Sequence, residues 1–364
     1  VLLAGAAGAE GPALRHAKAL SIERRGGATI ARVLHPWRGA SRSCTDVFIP
    51  RGAARPSDAE RDAVIVETPV RKAAAFSASY VAAIEALGEI DSLAGVDNAS
   101  YVYSEKARAR LAAGLARETS RNWMPDVELL ASIAPDVVFS YATGNEWDSH
   151  QALSRAGLTV AVCAEWMEDS PLGRAEWLKF FALFYGKSKE ADAAFDAIER
   201  AYESARASAA VAMKGRKKPV VLVNAPFQGA WTVPGGRSYL AALVRDAGGD
   251  YLWADDPGSG ALSLSMEAAY ERALGATVWI NPGTAASLSE LQATDRRFAG
   301  IPALARGAVF SNTRKTLPSG ANDYFEGAAF SPHILLSDLA AVFAAAGSDP
   351  VKEPASLEYY RLLE

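Results

Sequence analysis

Two Rossmann-like α/β lobes joined by a single long α-helix is the fold class this sequence predicts, and three observations predict it. Short apolar runs alternate with amphipathic stretches from residue 63 to 170 and again from 215 to 364, the rhythm of parallel sheets covered by helices. Between these regions the β signal disappears, and from Ser188 to Met213 apolar residues recur at helical spacing. The 364 residues exceed one ordinary domain and accommodate two.

Taken in order, residues 10–62 read as leading strands packed on the first lobe. Ala19-Leu-Ser-Ile-Glu23 turns through Arg25-Gly-Gly27 into Ala28-Thr-Ile-Ala-Arg-Val-Leu34, a hairpin signal, and Thr45–Ile49 is a third strand closed by Pro50. The first lobe then spans residues 63–170. Ala63-Val-Ile-Val-Glu67 and Lys72-Ala-Ala-Ala-Phe76 are short apolar runs, and Ser77 caps a helix ending at Gly88. Leu93–Val96 is a strand, Val127–Ile133 a helix, Asp136–Tyr141 a strand, Ala152–Ala156 helical and Thr159–Cys163 a strand. Residues 171–214 form the helical connector. In its second piece Ala191, Phe195, Ile198, Tyr202 and Ala205 share one face. The second lobe, residues 215–364, places strands at Pro219–Asn224, Thr277–Asn281 and Ala308–Ser311, with helices at Ser238–Ala247, Met266–Ala273 and Ile334–Ala345. Functional groups in such sheets belong at the carboxyl ends of the strands.

Composition excludes several classes. Half the chain is apolar, 22% is charged and the net charge is −4, against the basic face that broad nucleic-acid binding needs. No run of eighteen apolar residues occurs, the length of a membrane-crossing helix. Residues 1–9 are short, apolar and rich in small side chains, and Ala7-Gly-Ala9 has the small-x-small form of a signal-peptidase site. They read as the remnant of an export signal, with an Ala-rich domain edge as the plainer alternative. The two cysteines, Cys44 and Cys163, have no ligand-spaced partner, and sequence leaves their pairing open.

Three widely separated loops concentrate aromatic and polar side chains: Ala164–Arg174, Trp231–Tyr239 and Asn322–Glu326. Rings offer flat apolar area with a polar handle, suited to a macrocycle or catecholate. Arginine and lysine can neutralise an anionic chelate. No poised acid, base, nucleophile or phosphate loop accompanies them, so capture is expected rather than catalysis. Pro234-Gly-Gly-Arg-Ser238 lacks both dinucleotide spacing and a P-loop lysine. The four histidines are scattered, which argues against a bare metal site. The rival outside this class is a two-lobed enzyme such as a glycosyltransferase or a chelatase-like protein.

Thr68-Pro69, Phe76-Ser77, Glu85-Ala-Leu-Gly88 and Ala134-Pro-Asp-Val-Val138 in the first half, with Trp231–Gly236, Ala247-Gly-Gly249, Leu262–Glu267 and Trp279-Ile-Asn281 in the second, resemble class III substrate-binding proteins of ABC transporters. Ser170–Trp177 and Asn322-Asp-Tyr324 resemble an iron-complex branch of that family. The resemblance covers residues 60–364. It implies a ligand cleft between the lobes, a rigid connector and no catalysis or cofactor. It also implies a periplasmic monomer delivering a ferric siderophore to an ABC permease and its ATPase, with haem or cobalamin as the alternative cargo. Acidic residues at Glu128 and Glu267, one per lobe, would then dock on the permease, where charge orients encounter more than it adds affinity. Helix N-terminal charge is the plainer reading of both.

The residues expected to touch ligand are Tyr80, Tyr101, Trp147, Trp166, Arg174, Trp231, Arg237, Tyr239, Lys315, Asn322 and Tyr324. Core packing competes for every ring among them, and Trp177 and Trp279 are expected to be pure core. Arg174 sits where a helix dipole disfavours a cation, which calls for a partner: Glu165, Glu168 or an anionic ligand.

Overall fold

The computed structural model describes residues 13–25, 27–122, 124–146 and 148–364. These fall into two compact units. One comprises residues through Glu168, Leu172–Ala197 and Leu317–Phe330; the other comprises Asp169–Pro171, Ile198–Thr316 and Ser331–Glu364.

In the first unit β1 (Leu20–Arg25) and β2 (Ala28–Val33) form the expected antiparallel hairpin, and β3 (Cys44–Pro50) pairs antiparallel with β2. β4 (Val64–Thr68) adds in parallel to β3, giving the order β1-β2-β3-β4. Residues 63–67, expected to open the alternating region, thus close the leading sheet. Successive side chains point to opposite faces, and both faces of this sheet carry apolar residues. Ala31, Val33, Phe48 and Val66 join the main core, while Ala28, Ile30, Val47, Ile49 and Ala63 make a separate cluster. Cys44 and Cys163 are both free thiols, one half-buried and one buried.

The parallel sheet follows. β5 (Ala73–Ala75), β6 (Leu93–Val96) and β7 (Arg117–Glu118) precede a small hairpin of β8 (Ser120–Arg121) and β9 (Met124–Pro125); β10 (Val137–Ser140) and β11 (Val160–Val162) complete it. The order is β11-β10-β5-β6-β7. Central β5 is three buried alanines because it is covered on both faces. Ala74 packs with Leu130 and Leu153 of the helices Val127–Ile133 and Ser149–Arg155. Ala73 and Ala75 face the helices Ala78–Ala86 and Leu178–Tyr185, whose Phe180, Phe181 and Phe184 interlock with Phe48 and Phe139 at centroid separations of 4.7–5.8 Å. Trp177, expected to be core, is fully buried.

Two buried carboxylates fasten the leading segment to this core. Glu176 accepts from the backbone N–H groups of Arg15, His16 and Ala17 at 2.7–3.0 Å and from Lys179 Nζ at 3.0 Å. Glu168 accepts from the N–H groups of Lys18 and Ala19 and from Trp177 Nε1. Burial opposes the Glu176 charge, but these donors outweigh it and hold the carboxyl below its ordinary range.

The helix Ser188–Ala212 runs unbroken through the boundary between the units at Ala197 and Ile198. Its 25 residues extend about 38 Å at 1.5 Å each. Ala191 and Phe195 bury in the first unit, Tyr202 and Ala209 in the second, the face that helical periodicity predicts.

The second unit contains β12 (Val220–Val223), β13 (Ala230–Pro234), β14 (Asp250–Tyr251), β15 (Ala261–Ser265), β16 (Val278–Ile280), β17 (Val309–Ser311) and β18 (Arg361–Leu362). Its main sheet has the order β14-β12-β16-β17-β18, parallel except for β18, which runs antiparallel to β17. Serines cap the helices Tyr239–Asp246 and Met266–Ala273, where Ser238 and Ser265 accept from the N–H groups of Ala241 and Ala268. Asp338, buried in the helix Pro332–Ala346, accepts from the N–H groups of Glu358, Tyr359 and Tyr360 and so seats the strand that follows.

Trp231–Pro234, the start of the expected loop Trp231–Tyr239, is strand rather than loop. β13 pairs antiparallel with β15, and strand alternation points Trp231 and Val233 inward. Gly235 and Gly236 answer a packing demand: a Cβ at either would lie 2.4–2.8 Å from carbonyl oxygens of the segment 253–260.

Candidate functional site

The carboxyl ends of β5, β6 and β10 release Phe76-Ser77, Asp97-Asn98 and Tyr141 onto one rim of the first unit. These residues, with Val81, Tyr101 and Val102, line a cavity of about 440 Å³. Its remaining wall comes from far along the chain: Gly320, Asn322 and Phe325 of Leu317–Phe330. That segment is fastened by Glu326, which accepts from the N–H groups of Tyr103 at 2.6 Å and Ser104 at 2.8 Å. Burial dominates over those bonds and pushes the Glu326 carboxyl up to about 7. Phe330 packs edge-on against Phe181 at 6.0 Å, completing the attachment.

The polar groups of the rim are ordered by buried partners. Ser77 and Ser79 hydroxyls lie 2.9 Å apart, and Ser79 Oγ donates to Glu165 Oε1 at 2.9 Å. Glu165 is buried beside Arg174, whose Nη2 is 3.7 Å from the same oxygen. Asp97 accepts from Ser120 Oγ, and burial raises its carboxyl above the ordinary range. Tyr141 is half-exposed, its phenol pushed up by burial and by the carboxylates of Asp97 and Asp148.

The structure sorts the residues expected to touch ligand. Tyr101 and Asn322 line the cavity, Tyr101 with 48% of its surface exposed. Trp166 is 41% exposed on the turn Glu165–Met167 after β11. Tyr324 is half-buried and stands edge-on to Phe325 at 5.1 Å. Arg174 finds one of the partners its position called for, Glu165. Trp147 lies outside the described residues, as does the expected export-signal remnant, residues 1–9.

Two expectations are corrected by burial. Tyr80 belongs to the helix Ala78–Ala86 and turns inward, 1% exposed, its hydroxyl donating to the Cys163 carbonyl. Trp231 is fully buried, donates from Nε1 to the Val223 carbonyl and packs on Trp279 and Phe298 at 5.6 Å. Each offers a ligand no surface. Trp279 is core, as expected.

In the second unit Arg237 is exposed and Tyr239 half-buried. Lys315 pairs with Glu358 at 2.8 Å and lies over the Tyr359 ring at 5.3 Å. Asn322 and Tyr324, expected on the second lobe, are on the first. Phe325, 64% exposed, and Asp97 are cavity residues outside the set expected to touch ligand. Asp97 was signalled by its place just after a parallel strand, and Phe325 by its place within the aromatic loop Asn322–Glu326.

Glu128 is exposed in the first turn of Val127–Ile133, beside a recess of about 570 Å³ lined by Arg121, Met124 and Leu129. Glu267 is exposed in the first turn of Met266–Ala273, with Arg297 Nη1 3.5 Å away.

Among the described residues no three metal-ligating side chains gather, and no helix is long and apolar enough to cross a membrane. A family model described as periplasmic binding protein matches residues 74–315, more than half of the chain. An uncharacterized lipoprotein of Methanocaldococcus jannaschii is 28% identical over 288 residues, covering 76% of this chain and 66% of the relative, so a third of that protein lies outside the match. Among solved structures, a periplasmic heme binding protein from Pseudomonas aeruginosa matches with a TM-score of 0.58 at 18% identity, covering 76% of this chain and 93% of that one. A possible iron-binding, periplasmic solute-binding protein from Staphylococcus epidermidis matches with a TM-score of 0.56 at 15% identity, covering 76% and 99%. These likenesses are of fold: two α/β lobes with parallel sheets and a long bridging helix.

Proposed function

Because the chain belongs to the periplasmic binding protein family, a binding family and not an enzyme family, we propose that it captures a ferric siderophore or similar iron chelate and hands it to the permease of an ABC importer. The observation that carries this reading is the cavity at the carboxyl edge of the first sheet, walled by Phe76, Tyr101, Tyr141 and Phe325. Four rings around one hollow provide stacking area for a bulky, partly apolar cargo at small entropic cost. Export across the inner membrane fits the family and the lipoprotein relative. Glu128 and Glu267, exposed at one helix start in each unit, are the proposed permease contacts.

Haem or cobalamin is the second reading, favoured by the phenols of Tyr101 and Tyr141 in the same cavity, since a tyrosine can ligate haem iron. Tryptophan-fluorescence titration of the purified protein against ferric siderophores, haemin and cobalamin tests both. Quenching at micromolar concentration by a ferric siderophore is expected. Quenching by haemin or cobalamin alone would replace that cargo, and silence across the panel would sink the metal-chelate reading.

A further inference from the structure

We infer that the first-unit cavity receives a positively charged, hydrogen-bond-donating arm of the cargo, and that Asp97 sets this preference. The inference deepens the ferric-chelate reading and rests on it.

Charge is the first support. The cavity lining includes Asp97 and, among the described residues, no lysine, arginine or histidine. Asp97 accepts a hydrogen bond from neutral Ser120 and, among the described residues, has no cationic partner there. Burial opposes its charge, and Glu118 nearby adds to the opposition. On the same lining the Tyr141 phenol is held up by burial and then by Asp97 and Asp148. The lining thus carries a carboxylate and no opposing positive charge, and a cation entering the cavity beside Asp97 offsets it.

Hydrogen-bond direction is the second, independent support. Ser79 spends its one hydroxyl proton on Glu165 Oε1. The 2.9 Å contact between the two serine hydroxyls then takes its proton from Ser77. Ser77, which lines the cavity, is left presenting lone pairs to whatever enters. Its hydroxyl and the Asp97 carboxylate are both acceptors, so the matching cargo group is a donor. An ammonium is such a donor.

The apolar remainder suits the stem of such a group. Val81, Val96 and Val102 line the cavity beside the Tyr101 and Phe325 rings, which favour alkyl chains and cations alike. A polyanionic tris-catecholate would instead meet a carboxylate with no counter-charge on the cavity lining, a repulsive element that discriminates between chelates. Of the basic residues expected to offset an anion, Arg174 lies beside Glu165, Lys315 pairs with Glu358, and Arg237 is exposed in the second unit, outside this lining.

The test is fluorescence titration of the wild-type protein and Asp97→Asn with three probes: ferrioxamine B, a trihydroxamate carrying a free ammonium; uncharged ferrichrome; and polyanionic ferric enterobactin. Wild type is expected to bind ferrioxamine B at least tenfold more tightly than ferric enterobactin. Asp97→Asn is expected to weaken ferrioxamine B about tenfold, as loss of a charged hydrogen bond does, and to narrow its advantage over ferrichrome. The wild-type order alone remains decisive should the variant fold poorly. Enterobactin binding as tightly as ferrioxamine B, or equal weakening of both hydroxamates in the variant, overturns the inference while leaving the ferric-chelate reading standing. No response to any of the three removes both.

Discussion

Asp46 should make this protein less stable as pH rises. It lies within β3 on the face that carries Phe48 into the main core, 1% exposed, and its Oδ2 has no hydrogen-bond partner among the described residues. Burial alone raises its carboxyl from 3.8 to about 8. The folded-state value is the higher one, so the associated stability is fully present below about pH 4. As pH climbs, the unfolded chain releases a proton that the folded chain retains, and stability falls until both forms are ionised above about pH 8. At about 1.4 kcal/mol per pH unit the loss between pH 5 and pH 8 is about 4 kcal/mol. That is a large share of the roughly 5–15 kcal/mol typical of a folded domain.

Asp46→Asn keeps the shape and removes the titration. Its amide donors add a cost of about 1–3 kcal/mol that does not vary with pH, so the slope is the diagnostic quantity. Urea unfolding at pH 5, 6.5 and 8, followed by tryptophan fluorescence, should show the variant gaining about 4 kcal/mol on wild type across the series. A difference that stays constant within about 1 kcal/mol would show that Asp46 is solvated or paired in solution and refute the reasoning.

Glu176→Gln should cost about 3 kcal/mol, because it weakens three backbone hydrogen bonds and leaves buried Lys179 with the Ala13 carbonyl at 2.9 Å and half-exposed Asp192 at 3.3 Å. Hydrogen exchange at Arg15, His16 and Ala17 should accelerate with it, and unchanged protection would contradict the clamp. Trp231→Ala should lower stability by about 3–5 kcal/mol through the cavity it opens between Trp279 and Phe298. A loss of chelate affinity with no loss of stability would restore that ring to the ligand. Tyr101→Ala should weaken chelate binding about tenfold with little change in melting temperature, since the ring is half-exposed at the cavity. Reversing Glu128 and Glu267 together to lysine should abolish uptake by cells while solution binding persists; normal uptake would remove the docking role.

Most of the fold was legible because it depends on local pattern. Val127–Ile133, Leu93–Val96 and Met266–Ala273 have the bounds that capping and periodicity predict, and the long helix differs by a residue. Apolar spacing at a fixed period is a property of neighbours in the chain, and neighbours are what a sequence displays. The carboxyl-edge rule likewise brought Ser77, Asn98 and Tyr141 to one rim, because parallel strands deliver their following residues to the same side.

Other assignments depended on which distant segments meet. Trp231 carries the same aromatic and glycine marks as a ligand loop, yet β15 pairs with its strand and turns the ring inward. Tyr80 and Tyr101 are alike on paper; one sits on the covered face of a helix and the other on a rim turn. Leu317–Phe330 reaches the first unit through Glu326, whose carboxylate finds the Tyr103 and Ser104 amides more than two hundred residues away. Side-chain chemistry and most of the helices and parallel strands were thus determined along the chain itself. Exposure, and with it the choice between core and site, was decided only by long-range pairing, because burial belongs to a residue's partners in space and not to its type.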